Sequence, residues 1–201
     1  MSSSLIQLSL KQLITSEAFI GEKSQYRHYK NTQNILATRN NIDIINVEKT
    51  LQNIEPLIQL ITNTVANYEQ ILVVAQHPSA EPFVKDFPQP LLTKSWVHGA
   101  FSNFKVIRNS KKKTLFSSLN RLPNLVILLH TYNNQIILNE CKYLGIPTVA
   151  FLDTADNPGS NFYVIPTNNK SDAIIKLYLQ IISKAVFYGY AKRILNFNKK
   201  H

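Results

Sequence analysis

Three runs dominated by apolar residues constrain this chain most: Gln70-Ile-Leu-Val-Val-Ala75, Leu125-Val-Ile-Leu-Leu129 and Thr148-Val-Ala-Phe-Leu152. Each has the length of a strand. Their apolar side chains fall on successive positions rather than alternate ones, so both faces of each strand must be covered, as in the interior of a parallel sheet. Helical periodicity fills the intervals. Leu51, Ile54, Ile58, Ile61 and Val65 precede the first run, and Pro56 predicts that this helix starts near Glu55 or kinks there. Ile136, Ile137, Glu140, Cys141 and Leu144 make a short helix between the second and third runs, stopped by Gly145 and Pro147. A last helix follows Ser171, its expected N-cap, with Ile174, Ile175, Tyr178, Ile181, Ile182 and Val186 on one face. Ile42–Val47 and Tyr163–Ile165 read as two further strands, and Pro78, Pro82, Pro88 and Pro90 rule out one long regular element across that passage. Strands alternating with helices in this order predict an α/β fold, a mainly parallel sheet with helices on both faces. With 201 residues, 44% of them hydrophobic, and no repeat or low-complexity linker, a single domain is expected. It divides into an N-terminal helix and basic loop over 1–40, an α/β core over 41–190 and a basic tail over 191–201.

Such a sheet usually serves an enzyme through a glycine loop that brings backbone N–H groups close to a phosphate. The five glycines, Gly21, Gly99, Gly145, Gly159 and Gly189, form no such loop, and there is no G-x-S-x-G elbow. His28, His77, His98, His130 and His201 lack metal spacing, so no metal and no cofactor are expected. Asp153-Thr154 falls where the third run stops, the edge at which open α/β sheets collect ligands. The surrounding Asp-x-x-Asp-Asn-Pro is turn chemistry, so a strand-end structural role is the reading and a catalytic Asp153 the alternative. Cys141 has no partner for a disulfide and reads as a small core residue. No apolar run approaches the roughly 18 residues that span a bilayer, so no membrane partner is expected. The Ser-rich start with Lys11 has a faint look of an organellar presequence, while Leu5, Leu8, Leu13 and Ile14 equally suit one face of a helix belonging to the fold.

Charge points elsewhere. Lys and Arg number 22 against 12 Asp and Glu, a net +10. Phe87–Asn139 carries seven cations and no carboxylate, and Ala173–His201 six and none. Solubilising charge mixes both signs, whereas one-signed tracts attract polyanions. Lys94, Lys105, Arg108, Lys111, Lys112, Lys113 and Arg121 in the first tract, and Lys192, Arg193, Lys199 and Lys200 in the second, are therefore candidate phosphate contacts. Trp96, His98 and Asn103 join them, because aromatic and amide groups beside cations suit bases and 2′-hydroxyls; a core tryptophan beside a solvated loop is the competing reading. The segment around Tyr26-Arg27-His28-Tyr29-Lys30 adds Lys23, Arg27, His28, Lys30 and Arg39 as weaker candidates.

Three ordered blocks carry a resemblance: Arg39-Asn-Asn-Ile-Asp-Ile-Ile-Asn-Val-Glu-Lys-Thr50, Trp96-Val-His-Gly99 with Ser102-Asn103, and Ile146-Pro147, Asp153-Thr154, Asp156-Asn-Pro158 and Ile165-Pro-Thr-Asn168. From about Leu13 to Tyr190 the chain resembles the universal small-subunit ribosomal protein S-two family. The resemblance implies a Rossmann-like, flavodoxin-type sheet without enzymatic activity, held on ribosomal RNA between the head and body of the small subunit beside other ribosomal proteins. A nucleotide-binding α/β enzyme and a non-ribosomal RNA-binding module are the rival functions. The pattern also departs from the family's: Phe19-Ile20-Gly21-Glu22 stands for His-Phe-Gly-His, Val97-His98 for Leu-Gly, and Asn124 and Asn169 for aspartates. The long helical hairpin that bacterial relatives insert after the tryptophan block is missing, so Phe104–Leu122 is expected to be a short basic connection lying on RNA. Contacts that the hairpin makes with the large protein S-one should then be lost or taken over by others. Aligned with the family's first helix, the N-terminal segment reads as part of the fold rather than a cleaved import signal. Heavy use of Asn, Ile, Lys, Tyr and Phe points to an AT-rich genome and a mitochondrial ribosome, with a plastid or reduced bacterium as the alternatives.

Overall fold

In the computed structural model, described for residues 8–109, 119, 121–130, 135–159 and 163–198, the chain builds two sheets. Five parallel strands, β4 (Ile71–Val74), β5 (Leu91–Leu92), β6 (Leu125–Leu128), β7 (Thr148–Leu152) and β8 (Tyr163–Pro166), lie in the order β5-β4-β6-β7-β8. Successive side chains leave opposite faces of a strand. Ile71, Val73, Leu125, Ile127, Val149, Phe151 and Ile165 therefore face one layer, α2 (Val47–Ala66) and α5 (Asp172–Asn198), while Leu72, Val74, Val126, Leu128, Ala150 and Leu152 face the other. That second layer is α4 (Gln135–Leu144), with Ile137, Leu138 and Cys141, together with Ala100, Phe101 and Leu119. Every residue of β4, β6 and β7 is buried. The doubly covered sheet of the α/β class is thus present, and Cys141 is the core thiol expected, burial pushing it up to about 12.

Helices α2 and α5 pack closely. Gly189 makes this possible, since a Cβ there would lie 2.6 Å from Val65 Cβ. The observed α2 is one 20-residue helix that begins at Val47, not near Glu55, and runs through Pro56. Asn46 Oδ1 caps it, accepting from Glu48 N and Lys49 N, and both Pro56 and Gln52 are exposed, so the carbonyl that loses the proline's N–H lies on the solvent side of the helix rather than in the core. The segment 191–198, read as a tail, continues α5.

The largest correction lies near the N-terminus. Ile42–Ile45 is β3 of a separate antiparallel sheet, flanked by β1 (Ile20–Lys23) and β2 (Ile35–Arg39), rather than a strand of the parallel sheet. Most of what read as a loop between 20 and 40 is therefore strand and 3₁₀ turn, after a short capped helix α1 (Leu10–Thr15). Asn40 and Asn41 both take positive φ, 49° and 60°, which gives the β2–β3 hairpin its tight turn. Between Asn103 and Pro123, the described residues include a one-and-a-half-turn helix α3 (Phe104–Arg108) instead of plain loop, and Leu119 is buried in the core.

Candidate nucleic-acid interface

The edge where the parallel strands end is occupied by the protein itself. Thr154 Oγ1 accepts from Glu22 N (2.9 Å), Thr154 O accepts from His28 N (2.9 Å), and Asn31 Nδ2 donates to the carbonyls of Asp153, Thr154 and Asp156. The small sheet is thereby seated on the strand ends, at a distance only Gly21 permits: a Cβ there would lie 2.7 Å from Thr154 Cγ2. The remaining cavity, lined by Asn31, Asn34, Asp153 and Thr154 among others, is about 10 Å³, room for a water and not for a nucleotide.

Asp153 is 3% exposed, and its Oδ1 accepts from Thr154 N at 2.6 Å. Burial pushes its carboxyl up to about 7. Asp156 Oδ2 in turn accepts from Asp153 N (2.9 Å) and Asn169 Nδ2 (2.7 Å), so an asparagine at 169 supplies a donor where an aspartate would add charge. Asn169 O lies 3.2 Å from His130 Nδ1, and burial lowers the pKa of that imidazole. This is a turn closed by side-chain bonds. Among the described residues no group of His, Cys, Asp or Glu is gathered as a metal site, and no helix is long and apolar enough to cross a membrane.

The tryptophan loop is organised by Glu140, a residue that reads in the sequence only as part of a helix face. Its Oε1 accepts from Trp96 Nε1 (3.1 Å) and Gly99 N (2.9 Å), and its Oε2 from Phe101 N (2.8 Å). Trp96 packs edge-to-face on Phe101 with centroids 4.8 Å apart. Trp96 is partly buried, its ring packed against the core and its N–H satisfied within the fold, so only part of it faces solvent. Lys94, His98 and Asn103 around it are exposed.

The cations separate into two groups. Arg121 and Arg193 line one open cleft at the edge where the parallel strands begin, with Tyr68, Gln70, Gln89, Tyr190 and a single carboxylate, Glu69. Arg121 also lines the adjoining hollow formed by Phe104, Lys105, Arg108 and Leu122, so the two acid-free tracts of the sequence meet here. Arg193 is held over the Tyr68 ring (4.0 Å) and near the Tyr190 ring (5.2 Å), its Nη2 donating to Val65 O. Arg121 donates to Tyr68 O, and Lys192 Nζ to Asn63 Oδ1 at 2.7 Å. The second group, Lys23, His28, Lys30 and Arg39, belongs to the small sheet and its turns. Arg27 leaves this group. It is bound two-pronged to Asp43, whose side chain is fully buried, and to Thr38 Oγ1 (2.6 Å), so its guanidinium serves the fold although 28% of the side chain stays exposed. Lys111, Lys112, Lys113, Lys199 and Lys200 lie outside the described residues.

A doubly covered parallel sheet whose ligand edge is filled from within, with one group of cations at its opposite edge and another on the small sheet, defines an α/β scaffold that presents basic surfaces. The family model described as Ribosomal protein S2 matches residues 13–117 and 110–189, and the chain belongs to that family. It is 27% identical to Small ribosomal subunit protein uS2 of Methylobacterium sp. (strain 4-46) over 226 residues, 94% of this chain and 65% of that protein. It is 26% identical to the protein of the same description from Methylobacterium nodulans over 94% of this chain and 65% of the relative. For that of Methylorubrum populi the identity is 25%, over 93% and 64%. The chain thus spans slightly under two thirds of the length of these curated relatives.

Proposed function

We propose that this protein is a structural constituent of the small ribosomal subunit that binds ribosomal RNA between head and body, carries out no turnover and supports translation beside neighbouring small-subunit proteins. The observation that carries the RNA-binding part is the meeting of the two acid-free tracts at Arg121 and Arg193, with Lys105, Arg108 and Lys192 around them. Cations concentrated at one edge match a phosphate backbone, which needs spaced positive charge and no pocket. Family membership supplies the ribosomal setting, and the filled strand-end edge speaks against the nucleotide-binding enzyme. The 9 Tyr and 10 Phe against 5 Gly of an AT-rich coding sequence support a mitochondrial ribosome, while the bacterial relatives keep a bacterial one as the alternative. The missing hairpin is supported by two facts: the family match breaks and resumes at 110–117, and the 226 aligned positions exceed the 201 residues of this chain, so the relative carries inserted residues within the matched span.

Sedimentation tests the assignment. In a lysate of the source cells or organelles, the tagged protein should co-migrate with the small subunit through a high-salt sucrose gradient. Lys105→Ala/Arg108→Ala/Lys192→Ala, exposed positions whose loss leaves the core intact, should shift it toward the top. A parent protein that stays at the top of the gradient would refute the ribosomal role.

A further inference from the structure

The 3₁₀ turn Tyr29–Asn34 lies in the small sheet's half of the molecule, and its surroundings are built like a binding surface rather than a passive loop. Tyr29 is 74% exposed. Its position is nonetheless tightly held. His28 N donates to Thr154 O and Asn31 N to His28 O, both at 2.9 Å, and Asn31, 3% exposed, ties the turn to three carbonyls after β7. At the other end Asn34 O accepts from Asn46 N (2.9 Å) and Gln33 O from Lys49 Nζ. The ring itself stacks on His28, centroids 4.7 Å apart and planes 27° from parallel, with Lys30 Nζ 5.8 Å from its centre. It borders an open groove of about 690 Å³ formed with Lys30, Gln33, Asn34, Pro158 and Val164, and among the described residues no acidic side chain lines that groove.

We infer that this groove binds single-stranded RNA, one unpaired base stacking on Tyr29, the adjoining phosphate meeting Lys30, and the amides of Gln33 and Asn34 facing the base edge. The reading rests on the proposed RNA-binding function and assigns to it a second, chemically different site. A flat ring on a pinned turn loses little freedom when a base settles on it, and stacking accepts any base. Duplex RNA keeps its bases stacked inside and has nothing to offer Tyr29. The phosphate-facing edge around Arg121 and Arg193, by contrast, suits duplex and single strand alike.

Fluorescence anisotropy with the full chain separates these claims, using a short fluorescein-labelled oligouridylate and an RNA duplex of equal length as probes. Tyr29→Ala should weaken oligouridylate binding by about five- to a hundredfold, as loss of one stacked base does, leaving the salt slope and the duplex affinity unchanged. Tyr29→Phe should bind as the parent does, and Lys30→Ala should flatten the salt slope for oligouridylate by about 0.7. A 4-thiouridine probe should crosslink to the peptide carrying Tyr29. If Tyr29→Ala binds oligouridylate as tightly as the parent while Lys105→Ala/Arg108→Ala weakens both probes, the groove is no RNA site and belongs to a protein neighbour, though the function stands. If the parent binds neither probe, the RNA-binding function itself fails.

Discussion

At the scale of single residues, two buried carboxylates respond to pH in opposite senses. Asp43 has Arg27 as its counter-ion, and that hydrogen-bonded pair holds its carboxyl below the usual range. Its contribution to stability is present above the ordinary carboxylate pKa and is lost as pH falls through the lowered folded value. Arg27→Ala leaves a carboxylate of 0% side-chain exposure without its cation and should cost about 3 kcal/mol in urea unfolding at neutral pH. Adding Asp43→Asn should recover part of that loss, and a double-mutant cycle with no coupling would show the pair to be ornamental. Asp153 behaves the other way. With its carboxyl raised by burial from 3.8 to about 7, the fold retains a proton that the unfolded chain has released. Stability from this group is greatest below about pH 4 and declines up to about 7, by roughly 4 kcal/mol at most. Asp153→Asn keeps an oxygen for Thr154 N and should flatten that decline, making the variant more stable than the parent at pH 8. Asp153→Ala loses the acceptor and should cost about 1–3 kcal/mol at pH 5 in thermal or urea melts. The sequence already placed Asp153 at a strand end, but the depth of burial depends on the β1–β3 sheet folding over it, which no local pattern encodes.

At the scale of elements, the joint between α2 and α5 decides most. Gly189→Ala gains helix propensity worth about 1 kcal/mol, yet the new methyl meets Val65 Cβ at 2.6 Å and Thr62 O at 3.0 Å. Overpacking should win, for a net loss of about 1–3 kcal/mol that Val65→Ala relieves; calorimetric melts of the two variants and their combination measure this. Pro56→Ala should do the reverse. The proline sits exposed within α2 and removes a helix hydrogen bond there, so replacing it should raise stability by up to about 3 kcal/mol with no loss of RNA binding. Pro56 left a helix start near Glu55 or a kink as the two expectations; Asn46, ten residues before the proline in a β-branched stretch, supplies the cap, and packing on α5 holds the helix across the gap. The Asn40-Asn41 pair was the legible sign of a hairpin, and with Ile35–Arg39 before it, it marks β2 and β3 as partners.

At the scale of the whole molecule, charge and fold combine. RNA binding through five or more phosphates should give a log affinity against log salt slope steeper than about −3.5, and Lys105→Ala/Arg108→Ala/Lys192→Ala should flatten it by about 2. Those three cations stand on two elements, two on α3 and one near the end of α5. A parent slope near zero in filter-binding titrations would leave the basic edge without a role.

What the sequence determined by itself was the class of fold and the sign of its surface. Short, β-branched-rich apolar runs at 71–74, 125–128 and 149–152 suit strands covered on both faces, and an excess of ten cations requires a polyanion or solvent around it. Those are properties of composition and period, legible without knowing any contact. Tertiary structure alone decided which cations remain at the surface and which residue orders the tryptophan loop. Arg27 and Asp43 lie 16 positions apart, Trp96 and Glu140 lie 44 apart, and Arg121 and Arg193 belong to separate tracts. Each of these pairings exists because the sheet brings distant strands and their connections to one edge, and a buried charge or N–H must find its partner wherever the chain delivers one.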